Sequence, residues 1–197
     1  MTEIYFIRHA QSDRACHDDR TRPLTQEGFN DSEKLAEILK DKCITHIISS
    51  PYTRTLQTVE GLAKTLGLKT ETLEDLRERH AGKWHGDRFF DFIEKQWADF
   101  DYLIEGGESL REVQTRNINA LDGLLKKYKD ETFAIATHGT ALSTVLNYFY
   151  PKYGFEEFLK IADLMPLVIR TRLDVKPDGG IICTDIKEIF SVHRPYK

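Results

Sequence analysis

The sequence is short of several features, and each shortage narrows what it can be. Its three cysteines, Cys16, Cys43 and Cys183, are odd in number and widely separated, with no Cys-x-x-Cys pair, so neither a disulfide framework nor a zinc site is signalled. They read as reduced thiols. No apolar run is long enough to span a bilayer, and no basic leader precedes an apolar stretch with a small-residue cleavage site, so no membrane partner and a cytoplasmic location are expected. There is no basic excess either: 28 Lys and Arg against 32 Asp and Glu leave a formal charge of -4, which argues against nucleic acid. No repeat, low-complexity tract or long Pro/Gly linker divides the 197 residues, so one domain over 1–197 is expected.

What is present is an alternation of short β-rich stretches and amphipathic ones. Glu3 to Ile7, Thr45 to Ser49 and Thr132 to Thr137 read as buried strands, with a further short strand near Lys69 to Leu73. Between the first two, Leu24, Phe29, Leu35, Ile38 and Leu39 share a helical face behind Thr25 as N-cap, which predicts a helix to about Lys40. A second helix is expected from Pro51, capped by Ser50 and ended by Gly67, then a short one at "DFIEKQWADF", a long one from Ser109 to Tyr128, and another at "TALSTVLNYFY". "LVIRTRLDV" and "GIICTDIKEI" predict a closing hairpin across "KPDGG". This pattern implies an α/β fold, a three-layer α/β/α sandwich with a mostly parallel sheet and an antiparallel C-terminal edge. In such folds ligands gather beyond the carboxyl ends of the strands.

Three polar clusters stand at expected strand ends: Arg8-His9, Ser49-Ser50-Pro51 leading to Arg54, and His138-Gly139. Arginines supply planar, permanently charged forks that suit phosphate oxygens, and helix starts at Pro51 and after His138 would add backbone N–H groups. A neutral imidazole in that setting is a competent nucleophile toward phosphorus, and His9 or His138 could serve. A leaving alkoxide needs a proton, for which Glu78, Asp13 and Asp75 are all chemically suitable.

At these residues the chain resembles the histidine phosphatase superfamily, in its phosphoglycerate mutase-like branch. Arg8-His9-Ala10 resembles the family's Arg-His-Gly signature, "SSPYTRTLQT" its Ser-Ser-Pro-x-x-Arg-x-x-Gln-Thr segment, "LRERHAGKWHG" its glutamate loop and "ATHGT" its second-histidine motif. "RPLTQEG" and "GGESL" are similar to family segments as well. The resemblance implies a phosphoglycerate mutase-like fold, with His9 as phosphorylated nucleophile, Arg8, Arg54 and His138 as phosphate clamp, Glu78 as proton donor, and neither metal nor other cofactor. The sequence departs from the pattern at Ala10, where glycine is usual, and at Ala15, where an asparagine is common; Ala10 is expected to be tolerated and Ser12 to replace the missing phosphate contact.

Other residues carry plainer expectations. His17-Asp18-Asp19 reads as a solvated loop, because three consecutive side chains rarely converge on one ion. His80 and His85 flank Trp84 at the rim or in substrate recognition, and Phe89, Phe90, Phe92, Trp97 and Phe100 form a helical face packed as core or lid. Within the family a mutase must hold a doubly anionic intermediate, yet Gly86 to Glu105 offers only Arg88 and Lys95 against six acidic residues. Hydrolysis of a small phosphorylated substrate is therefore expected ahead of mutase chemistry, and both ahead of an idle phosphate-binding domain. Nothing in the sequence sets an oligomeric state.

Overall fold

The short β-rich runs become strands in the computed structural model, which describes residues 1–83 and 89–195. The strands are β1 (Thr2–Arg8), β2 (His46–Ser49), β3 (Thr70–Thr72), β4 (Thr132–Thr137), β5 (Leu164–Val175) and β6 (Ile181–His193). They form one sheet in the order β3-β2-β4-β1-β5-β6. The first four run parallel; β5 is antiparallel to β1, and β6 to β5, as the expected hairpin requires.

The described residues hold six helices: α1 (Gln26–Leu39), α2 (Thr53–Leu66), α3 (Phe89–Ala98), α4 (Leu110–Lys127), α5 (Gly139–Phe149) and α6 (Phe155–Ala162). The two-residue period of the strands separates two cores. Ile4, Phe6, Phe133 and Ile135 face α4 and α5, meeting Leu121, Leu124, Leu142 and Val145. Their sequence neighbours Tyr5, Ile7, Ala134 and Ala136 face α1 and α2, meeting Leu35, Leu39, Val59 and Leu62. Each such buried Leu, Ile, Val or Phe side chain stabilises the fold by about 1.5–3 kcal/mol before the entropy of ordering it, so the two cores outweigh any single cap.

Local signals explain most element ends. Thr25 caps α1 by accepting from the Gly28 N–H at 3.0 Å, and α4 opens with a reciprocal capping box between Ser109 and Glu112. α2 ends at Gly67, whose φ of 65° is left-handed. Its start departs from expectation: the helix begins at Thr53 with Tyr52 as N-cap, and Pro51 and Ser50 stay outside it. The Ser50 hydroxyl is engaged with His138, and it also accepts a 3.3 Å bond from the Tyr52 N–H at the helix start.

α6 is an element that the pattern reading did not anticipate. It is short, and its role is to give α3 something to pack on: Phe158 joins Phe92 and Ile93 in a third cluster, with Trp97 5.8 Å from the Phe158 ring. The expected aromatic face of α3 therefore packs, at Phe92 and Trp97, and Phe100 meets Trp97 edge-on at 5.5 Å. The side chains of Phe89 and Phe90, and residues Trp84, His85, Gly86 and Arg88, lie outside the described parts.

A charge clamp ties the C-terminal end to α1. Asp31 is fully buried and accepts from Lys34 Nζ at 2.9 Å and from Arg194 Nε at 3.0 Å. Removing Arg194 would leave a buried carboxylate with one partner, itself largely exposed. Arg194→Ala should therefore lower the unfolding free energy by roughly 1–3 kcal/mol, read as a shifted urea midpoint; an unmoved midpoint would show that the clamp contributes nothing.

Candidate active site

The ladder between β1 and β4 sets the site. Arg8 is in register with Thr137, and Ser49 of β2 with Ala136, so the next residue of each strand leaves the sheet at one level. The His9 N–H donates to the Thr137 carbonyl at 3.1 Å and the Ser50 N–H to the Ala136 carbonyl at 2.9 Å, extending the order one step beyond the ladder. His9, His138 and Ser50 thereby converge: the two imidazoles are 5.4 Å apart, and His138 Nε2 is 2.8 Å from Ser50 Oγ.

Arg8 lies beneath them, 3% exposed, with Nη1 donating to the backbone carbonyls of Leu164 at 3.2 Å and Ile161. It also presses on Gly139, where a Cβ would sit 3.1 Å from Nη2; glycine after His138 lets the guanidinium approach the backbone. Arg54, equally buried, stacks over Tyr52 at 5.0 Å and donates to Asp19, by Nη1 to its carbonyl and by Nη2 to Oδ1 at 3.2 Å.

The His9 tautomer follows from its partner. Nδ1 is 2.7 Å from the Ala10 carbonyl, which can only accept, so Nδ1 carries a hydrogen. Burial, then the charges of Arg54 and Arg8, hold this imidazole well below the ordinary histidine range, so the ring is neutral near pH 7 and Nε2 bears the lone pair. His138 is pushed down likewise by burial, Arg54 and His9. Its Nδ1 is buried and has no hydrogen-bond partner among the described residues.

Ala10, the first departure, is fully buried and accommodated. It is not among the non-glycine residues with positive φ, and its N–H donates to Thr58 Oγ1 at 3.0 Å while its carbonyl orients His9. Ala15 sits in an exposed turn, its N–H donating to Asp13 Oδ1 at 2.9 Å.

Of the three carboxylates weighed as proton donor, Glu78 alone reaches this cluster. Its oxygens accept from the N–H groups of Ala141 and Thr140, both at 3.1 Å, and of Arg79 at 2.8 Å, and its charge is felt at Arg54 and Tyr52. Asp13 is committed to its turn, and Asp75 is exposed, 3.8 Å from Arg77.

Several expectations need correction. The helix N–H groups expected to line the pocket are largely taken: Thr53 donates to the Arg20 carbonyl, and Thr140 and Ala141 to Glu78, because α5 lacks a side-chain cap of its own. The Ser12 backbone forms a lone bridge with Leu24. Nor is the 17–19 loop simply solvated, since Asp19 binds Arg54 and also pairs with Arg22 at 3.3 Å. Arg22, whose charge reaches His9, was missed as a neighbour of the imidazole, although it opens the "RPLTQEG" segment. Tyr52, edge-on to His138 at 5.0 Å and facing Arg20 at 5.6 Å, was missed as well. His80 is exposed, with Nδ1 donating to the Gly106 carbonyl.

Fold and site together define an α/β protein with paired imidazoles and arginines at the carboxyl edge of a parallel sheet. The chain belongs to the histidine phosphatase superfamily (branch 1), whose sequence profile matches residues 4–182. Among curated relatives it is 30% identical over 162 residues to the probable phosphoglycerate mutase GpmB of Yersinia pestis, covering 75% of this chain and 74% of that one. It is 28% identical over 160 residues to the protein of the same name from Serratia proteamaculans, with the same coverage of 75% and 74%. Among solved structures it resembles Bacillus stearothermophilus YhfR, with a TM-score of 0.73 and 24% identity over 93% of this chain and 96% of that one. A mycobacterial glucosyl-3-phosphoglycerate phosphatase gives 0.74 and 18% over 94% and 97%. A phosphoserine phosphatase variant from Entamoeba histolytica in complex with phosphoserine gives 0.74 and 19% over 94% and 96%. At these identities the structural likenesses speak for the fold, which is phosphoglycerate mutase-like.

The two neutral imidazoles make native stability depend on pH. Both have folded values below the unfolded one, so the unfolded chain binds protons below about pH 6.5 that the native site refuses, and stability falls as pH falls. The unfolding free energy should drop between pH 7 and 5, and His138→Gln should flatten that drop by up to one proton's share. An identical slope in the variant would mean that His138 takes up its proton over the same pH range folded as unfolded.

Proposed function

We propose that the protein hydrolyses small phosphomonoesters through a phosphohistidine on His9, without a metal. The observation that carries this reading is the His9 tautomer: with Nδ1–H held by the Ala10 carbonyl, the unprotonated Nε2 stands beside the buried charges of Arg8 and Arg54. A phosphoryl group entering there meets a nucleophile on one side and fixed positive charge around its oxygens.

In this reading Nε2 of His9 attacks phosphorus in line with the ester oxygen; the N–P bond forms as the P–O bond breaks. The departing oxygen takes a proton from Glu78, and the carboxylate left behind is stabilised by the N–H groups of Thr140, Ala141 and Arg79. Water then attacks the phosphohistidine, returning a proton to Glu78 and releasing phosphate. Arg8, Arg54 and His138 hold the equatorial oxygens, and Arg54 exchanges its Asp19 contact for the phosphate. Arg22 is a further cation for that clamp, while Ser12 keeps only the weaker support of its place in the sequence.

His9→Ala should lower turnover by roughly three or more orders of magnitude and leave no acid-labile phosphoprotein after mixing with substrate. Wild-type turnover in that variant would sink the assignment.

Phosphoglycerate mutase chemistry is the second reading, favoured by the names of the curated relatives. Against it stand the six acidic residues and two basic ones between Gly86 and Glu105, a poor bed for a second anionic group. Incubation with 3-phosphoglycerate separates the two: we expect release of inorganic phosphate from generic esters and no interconversion with the 2-isomer, and rapid interconversion would reverse the order. Glu78→Gln should slow an alkyl phosphate by about 100-fold, and an ester of an acidic phenol far less; equal slowing would point to another proton donor.

A further inference from the structure

Glu78 belongs to no helix or strand; it lies in an irregular stretch after a short 3-10 turn, Glu74–Leu76. A proton donor must nevertheless be held to within a fraction of an ångström of its target. The stretch that carries it is gripped from behind by one side chain of α4. Arg116 Nη1 donates to the carbonyls of Asp75 at 2.6 Å and Arg77 at 2.8 Å, and Nη2 donates to the carbonyl of Glu78 itself at 3.2 Å.

The fork that remains is closed by Glu108. Arg116 Nε meets Glu108 Oε1 at 2.9 Å and Nη2 meets Oε2 at 3.1 Å, so all the N–H directions of a guanidinium are used on one loop and its backstop. Glu108 also accepts from Arg77 Nη2 at 2.6 Å and from the His80 N–H at 2.9 Å, binding the loop on both sides of Glu78. Arg116 is 10% exposed and Glu108 15%. Burial pushes the Glu108 carboxyl up, but Arg116, the His80 N–H and Arg77 hold it below the ordinary carboxylate range.

We infer that Arg116, backed by Glu108, is the positioning residue for Glu78: it touches neither substrate nor phosphoryl group and acts by fixing the backbone from which the proton donor projects. The inference rests on the reading of Glu78 as proton donor. A lysine in the same place keeps the charge but cannot serve three carbonyls and a carboxylate fork at once, so Arg116→Lys separates geometry from charge.

The test compares wild type, E78Q, R116K and the double variant on an alkyl phosphate and on p-nitrophenyl phosphate. R116K is expected to lower kcat on the alkyl ester about 10- to 100-fold with KM changed about twofold at most, and to cost several times less on the phenyl ester. The double variant is expected to match E78Q within about twofold, because a misplaced donor and an absent one remove the same step. Should R116K not fold, judged by its thermal transition, E108Q carries the same comparison with a smaller expected loss. Equal slowing of both esters by R116K, or losses that multiply with those of E78Q, would overturn the inference alone. Equal slowing of both esters by E78Q would overturn the proton-donor reading and the inference with it.

Discussion

Parallel pairing of β1 with β4, ending with Arg8 opposite Thr137, is the constraint on which the rest of the site depends. A slip of one residue along that ladder would exchange the two faces of the strand, sending Ile4 and Phe6 toward α1 and α2 and Tyr5 and Ile7 toward α4 and α5. Both cores oppose such a slip. The apolar packing that stabilises the sheet is therefore also what holds two imidazoles 5.4 Å apart at its edge.

The electrostatic design follows from that burial. A protein with a net charge of -4 keeps two nearly inaccessible guanidiniums together, which would be unfavourable were each not answered locally. Arg8 is answered by the carbonyls of Ile161 and Leu164, Arg54 by Asp19. Asp19, which answers Arg54, lies in a loop. Lost hydration, then the cationic surroundings, keep both imidazoles unprotonated and leave each a free nitrogen lone pair.

Glu78 inverts the usual relation between a helix and its cap. α5 has His138 at its N-cap position, whose ring is turned to Ser50, so the helix N–H groups are met by a carboxylate from 62 and 63 residues earlier in the chain. This contact unites the proton-donor candidate with the strand end that carries His138.

Much of this was legible in the sequence because it is local. The strand runs, the Thr25 cap, the Gly67 stop and the C-terminal hairpin each depend on neighbours a few residues away. Arg8, His9, Arg54, Glu78 and His138 were legible through motif order. α6 was not, because a helix of eight residues is decided by the aromatic side of α3 that it covers. Asp19, Arg22 and Tyr52 were not, because a residue outside a regular element carries no sign of the partner it will meet. By itself, then, the sequence determined most of the segments that are strands and helices and the residue types that stand at the strand ends, since periodicity and residue type are properties of short stretches. Which of the suitable carboxylates faces the imidazoles, which nitrogen of His9 keeps its lone pair, and what holds Glu78 in place were decided by tertiary structure, because each depends on a hydrogen bond or charge whose partner the sheet register delivers.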